Sequence, residues 1–206
     1  MKERGIIFNG EMVRAILDGR KTQTRRILSP RQLKMIDTAS SIGECDPLDC
    51  GLQDGNSQSY YREWCPFGKV GDRLWVREAF RVHSRATDVA TLAYKASEQQ
   101  SWTQQVARVQ IELCTKQVSP EAWTPSIHMP RWASRITLEI TDIRVERLND
   151  ISEDDAKAEG APTECCVIGD KHLLGFRSLW KSIYGQDSWQ SNPFVWVVEF
   201  KRVEEA

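Results

Sequence analysis

The chain has 206 residues and a mass of 23.7 kDa, enough for one domain with its own core. Its 28 Lys and Arg against 29 Asp and Glu give a net charge of −1, which excludes a globally basic nucleic-acid coat and a strongly acidic disordered tail. The longest apolar run, Phe194 to Val198, is far too short for a membrane span, and Met1 to Phe8 carries no secretory pattern. Six cysteines are too few for a disulfide scaffold, so the expected setting is cytoplasmic, with reduced thiols and no membrane partner.

In chain order, Gly5 to Phe8 reads as a strand. Met12, Val13, Ile16 and Leu17 recur at helical spacing, and Gly19 is a natural stop. Thr22 to Ile27 reads as extended. Residues 29 to 67, rich in Pro, Gly, Ser and Asp, read as a long irregular insertion. A strand is expected over Asp72 to Val76, entered through Gly71. Residues 81 to 125 have no clean period and read as a second insertion with one helix. Ser134 to Leu148 carries the strongest strand signal. Ile136, Leu138 and Ile140 alternate, then Ile143 and Val145 continue one residue out of phase, which predicts a bulge or bend near Thr141–Asp142. Ser152 and Asp155 form a capping-box start for a short helix ending near Gly160. Phe176, Leu179, Trp180, Ile183 and Tyr184 predict a core-facing helix closed by Gly185. Phe194 to Phe200 predicts a strand buried on both faces. The sum is one α+β domain over 1–206, with two or three short helices and two long loop insertions.

The near-zero net charge hides two opposed patches. Residues 1 to 35 carry nine basic and three acidic side chains, and residues 142 to 164 carry three basic and eight acidic. The basic run Arg20, Lys21, Arg25, Arg26, Arg31 and Lys34 is where a phosphate-bearing ligand is expected; the plainer reading is a solvated face. Among the eight tryptophans, Trp75, Trp180 and Trp196 sit in core-like patterns, while Trp64, Trp102 and Trp123 fall in insertion sequence as stacking platforms or packing anchors. Cys45, Cys50 and Cys65 do not have zinc-knuckle spacing, and a fourth ligand such as Cys165, Cys166 or His83 would have to come from afar; no metal site and no cofactor are expected.

The run Gly19-Arg20-Lys21-Thr22-Gln23-Thr24-Arg25-Arg26 resembles the signature of the ASCH domain, a small β-barrel family related to the PUA RNA-binding fold. The family pattern, roughly G-x-K-x-x-[E/T]-x-R, is met by Gly19, Lys21, Thr24 and Arg26. Val70 to Val76 looks like the family's Gly-Asp strand entry, Ile151 to Gly160 like its post-barrel helix with a late Glu, and Phe194 to Lys201 like its closing strand. The layout with long insertions is similar to ASCH proteins of bacteriophages and prophages. The resemblance implies a PUA-like barrel. One branch of the family hydrolyses the N4-acetyl amide of acetylcytidine. By that resemblance Thr24 would be the nucleophile, Lys21 its proton acceptor and Glu159 the proton donor. Other members are thought to bind or cut RNA, so the fold does not settle the function.

The chemistry can be weighed without the family. A Thr hydroxyl is inert near neutral pH unless a base lies within hydrogen-bond reach. Lys serves as that base only if burial or nearby cations lower its pKa, and a directly paired Glu159 opposes such a shift. In a regular strand Lys21, Gln23 and Arg25 share one face while Thr22, Thr24 and Arg26 share the other, so a Lys21–Thr24 contact needs a turn at 21–22. Arg26, Trp75, Glu78, His128 and Arg131 complete the expected substrate-binding set. Glu78 is a rival acid, and His128 and Arg131 contact a base or phosphate, or else form a structural turn with Trp132. The expected ligand is a nucleoside or single-stranded RNA. An amidohydrolase, a non-catalytic RNA or nucleobase-binding module and a ribonuclease all remain open.

Overall fold

The computed structural model describes residues 1–163 and 171–203, so Cys165 and Cys166 lie outside the described residues. In chain order these form β1 (Glu3–Ile7), α1 (Gly10–Leu17), β2 (Gln23–Ile27), α2 (Pro30–Ser41), α3 (Leu48–Gly51), α4 (Gly55–Glu63), β3 (Arg73–Arg77), β4 (Phe80–Arg85), β5 (Val89–Tyr94), α5 (Trp102–Gln105), β6 (Val106–Gln110), β7 (Thr137–Arg147), α6 (Glu153–Ala158), α7 (Lys171–Tyr184) and β8 (Phe194–Val203). The α+β class holds. The chain divides into two units, one built on Met1–Gly19 and Arg73–Glu139, the other on Arg20–Asp72 and Ile140–Lys201.

In the first unit β1 runs parallel to β3, Glu3 opposite Arg73, and β3 runs antiparallel to the start of β7, Trp75 opposite Thr137. Asn9 caps α1 by accepting from the Met12 amide at 2.8 Å. Met12, Val13 and Ile16 form the buried stripe, and Gly19 at φ +73° lets the chain leave the helix. Residues 81 to 125 are not the loop insertion expected. They build an antiparallel meander, β4-β5-β6, whose core joins Phe80, Val82, Leu92 and Tyr94 to Met129 and Ala133. The strand period is faint in the sequence because two of its buried positions are Ala90 and Ala93 and the register shifts between Val82 and Ser84.

In the second unit β8 lies between β7 and β2, antiparallel to β2 with Gln23 opposite Glu199 and Ile27 opposite Val195. Val195, Trp196, Val197 and Val198 are all fully buried, as a strand covered on both faces requires. Residues 29 to 67 are helical rather than irregular. Ser29 and Gln32 form a capping box with Pro30 in the first turn of α2, and Asp54 caps α4 through the Ser57 amide at 2.6 Å. Their apolar periods are thin: α2 buries only Ile36 and Ala39. The capping box of α6 forms as expected from Ser152 and Asp155. The stripe on α7 is narrower than predicted, with Phe176 and Trp180 buried and Ile183 turned out at 44% exposure.

The phase slip in β7 is real but does not break the strand: Leu138 and Ile140 are buried, then Ile143 and Val145. The two segments expected in the barrel, Ser134–Leu148 and Phe194–Phe200, contribute β7 and β8, which are neighbours in one sheet. Among the described residues, however, the sheets do not close into the expected barrel.

Candidate functional site

Lys21 and Glu159, 138 positions apart, meet across an antiparallel bridge in the second unit. The backbone fixes this contact: the Thr22 amide donates to Ala158 O and the Phe200 amide to Thr22 O, both at 2.8 Å. Glu159 is the C-cap of α6, and Gly160 at φ +71° turns the chain away behind it.

Lys21 Nζ donates to Glu159 Oε2 at 2.6 Å, to Glu159 O at 2.9 Å and to Gln23 O at 2.8 Å. The two residues are 2% and 4% exposed. Burial pulls the Lys21 pKa below the usual amine value. The Glu159 carboxylate opposes that shift, while the Arg26 and Arg25 charges add to it.

Arg25 is the second cation of the centre. Its Nη1 donates to Glu159 Oε1 at 3.4 Å; its Nη2 donates to Glu146 Oε2 at 3.0 Å and lies 3.5 Å from Asp155 Oδ2. Gln23 Nε2 holds Asp155 through its main-chain oxygen at 2.8 Å and Oδ1 at 3.0 Å. Arg144 closes the network on Glu146, Glu199 and Asp155. Burial opposes ionisation of Asp155, but donors from Ser152 and Gln23 and the Arg25 charge hold its carboxyl below the usual range. A concavity of about 270 Å³ touches this network at Arg144 and Glu146, with Leu52, Gln58 and Arg62 on its other walls.

The sequence-predicted residues divide. Lys21 and Glu159 come together. Thr24, 1% exposed and opposite Val198, lies on the β2 face away from Gln23 and Arg25. Arg26 is half-buried in the same strand.

Trp75, Glu78, His128 and Arg131 belong to the first unit. Trp75 is half-buried, with the Arg77 guanidinium 5.3 Å from its ring centre. His128 is exposed in a 3-10 turn, and Arg131 pairs with Glu3 at 2.9 Å. Glu78, 2% exposed, is gripped by Arg135 through Nε at 2.9 Å and Nη2 at 3.1 Å. Burial raises its pKa, with Arg135 opposing. It lines a cavity of about 560 Å³ together with Arg14, Lys95 and Glu98.

Cys45 is half-buried, Cys50 exposed and Cys65 buried. His83 packs edge-on against Trp102 at 4.6 Å between ring centres.

Arg25, Glu146, Asp155, Arg144 and Glu199 were not anticipated as one network. The signal was present in the opposed charge of residues 1 to 35 and 142 to 164. Lys21 and Arg25, read as candidate phosphate ligands, are instead matched to that acidic stretch.

No family model matches the chain, and no curated protein does. Among solved structures it is similar to an ASCH domain from Lactobacillus crispatus JV V101, with 12% identity and a TM-score of 0.42 over 98% of this chain and 79% of that one.

Proposed function

We propose that the protein is an amidohydrolase acting on an N4-acylated cytosine nucleoside or a related modified base, with Lys21 and Glu159 as its proton-handling pair. The observation that supports the reading is the 2.6 Å bond between two side chains removed from water. Burial disfavours the charged form of Lys21. A proton passing from Nζ to Oε2 along that bond would leave a neutral amine beside a carboxylic acid, the base and donor that amide cleavage needs. The roles then follow the resemblance to the ASCH signature. Thr24 Oγ attacks the acyl carbon and its proton passes to Lys21 Nζ. The bond to the base's N4 breaks as N4 takes a proton from Glu159. Water then cleaves the acyl–Thr ester, releasing the carboxylic acid and restoring the hydroxyl.

A second reading, a binding module without turnover, is favoured by a different observation. Nζ already donates to three acceptors, and strand alternation turns Thr24 away from it. One assay separates the two. Purified protein is incubated with N4-acetylcytidine and cytidine is followed by chromatography. The hydrolase reading expects cytidine from the wild type and none from Thr24→Ala. Full activity in Thr24→Ala would replace the covalent step by Lys21-assisted attack of water. Saturable binding without product would leave the binding module.

A further inference from the structure

Helix α2 carries a second stripe beside its buried one. Arg31, Lys34, Met35 and Thr38 follow one another at helical spacing and, with the edge of buried Ala39 and the C-cap Ile42, form one wall of a groove of about 390 Å³. Tyr60 and Trp64, one turn apart at the end of α4, form the other wall, with ring centres 6.4 Å apart. Trp64 is 37% exposed and Ile42 72%. Arg31 and Lys34 are exposed, and neither makes an ion pair among the described residues. Among the described residues no carboxylate lines the groove.

The aromatic wall is held in place before any ligand arrives. Gln58 of α4 bonds β7 like a strand neighbour, accepting from the Val145 amide at 3.0 Å and donating to Val145 O at 2.8 Å. Tyr61, fully buried, donates its hydroxyl to Asp46 O at 2.5 Å. Gln32 of α2 reaches Trp64 O at 3.4 Å. A stacking platform fixed this way loses little side-chain entropy when a flat ring settles on it.

We propose that the α2–α4 groove binds single-stranded nucleic acid, a base stacking on Trp64 with the Tyr60 ring, tilted 52° to it, against the base's edge, while Arg31 and Lys34 hold the flanking phosphates. Two cations without carboxylate partners beside exposed aromatic faces match a polyanion with flat rings. An apolar helix seated in the same groove would have to cover both charges without pairing them. The inference does not rest on the hydrolase reading, because none of these residues belongs to the Lys21–Glu159 centre.

The test is fluorescence anisotropy with a fluorescein-labelled, mixed-sequence RNA of about ten nucleotides, within the span of common single-strand sites. Wild type should bind at about 50 mM salt and weaken as salt rises. Trp64→Ala should weaken binding by about 5- to 150-fold, the worth of one stacked base. The double variant Arg31→Ala, Lys34→Ala should flatten the log–log salt slope by about 1.4, two phosphate contacts at ~0.7 each. Circular dichroism checks that these surface changes leave the fold unaltered. Hydrolysis of a free nucleoside, where present, should be unchanged in Trp64→Ala. Absence of RNA binding by the wild type, or equal binding by Trp64→Ala, overturns the proposal. So does self-association that Trp64→Ala abolishes while no RNA binds, since the groove is then a protein interface.

Discussion

Replacing Lys21 by Met keeps the aliphatic stem and removes the ammonium. Glu159 Oε2 then loses its 2.6 Å partner, and Glu159 O and Gln23 O lose a donor each. Breaking one side of a buried ion pair costs about 3–5 kcal/mol. Arg25 Nη1, still 3.4 Å from Glu159 Oε1, keeps the expected loss near the lower end, about 3 kcal/mol. At this chain length each kcal/mol moves Tm by roughly 2–4 °C, so calorimetry should record a fall of about 6–12 °C. The double variant Lys21→Met, Glu159→Gln removes both charges. It should lose about 2 kcal/mol less than the two single losses together, the coupling of groups in direct contact. Additive losses, or a single loss below about 1 kcal/mol, would show that the pair is not held away from water and would remove the physical basis for its proton exchange.

The same variant tests the direction of the Lys21 titration. Burial lowers the folded pKa, so between that lowered value and the ordinary ~10.4 the unfolded chain binds more protons than the folded one. Stability contributed by this residue therefore rises with pH across that window, and its penalty is fully present below it. The Tm advantage of wild type over Lys21→Met should widen as pH climbs toward ~10.4. A gap that narrows there contradicts a lowered pKa.

Three further outcomes are expected. Asp155→Asn should cost about 1–2 kcal/mol near neutral pH, through weakened capping and lost charge-assisted bonds. Because the folded Asp155 pKa is depressed, that difference should be present above ~3.9 and vanish as pH falls through the folded value, which thermal melts across the acid range would check. Glu78 titrates the other way: its raised pKa means that wild-type stability falls, relative to Glu78→Gln, as pH rises from ~4.3 through the folded value in parallel melts. Gly175→Ala should destabilise by about 1–3 kcal/mol or more, since the new methyl runs into the Pro162 carbonyl, and urea unfolding would measure it.

Those elements legible in the sequence are the ones whose signal is local and strong. The β8 run Phe194 to Val198 is apolar at every position, and the Ser152–Asp155 box fixes the start of α6 by itself. The 29–67 helices and the β4–β6 meander carry faint periods because several of their buried positions are small or polar and the β4 register shifts. Ile36 and Ala39 are the only buried positions of α2, and Ala90 and Ala93 carry little apolar weight in β5. At the site, the motif puts Lys21 and Glu159 in one expected set, but their direct ion pair stands there only as a condition and comes from the fold. The role of Arg25 is not legible there either, because its three carboxylates come from β7, α6 and the α6 C-cap, and only folding brings them to one guanidinium. A charge count over the basic run does not show that Glu159, Glu146 and Asp155 neutralise Lys21 and Arg25.

That neutralisation bounds what the chain can do with a polyanion. Lys21 and Arg25 are buried against carboxylates, so of the basic run they contribute no exposed charge, while Arg31 and Lys34 stand open on α2. Two phosphate contacts give a slope of about −1.4, so raising salt from about 50 to 200 mM would weaken single-strand binding by only about sevenfold. One stacked base is worth about 5- to 150-fold, comparable at its low end and far larger at its high end. Discrimination in the α2–α4 groove must therefore come mainly from what lies flat on Trp64, with the charges setting orientation. A ligand lacking an exposed ring should gain little from this surface however many phosphates it carries.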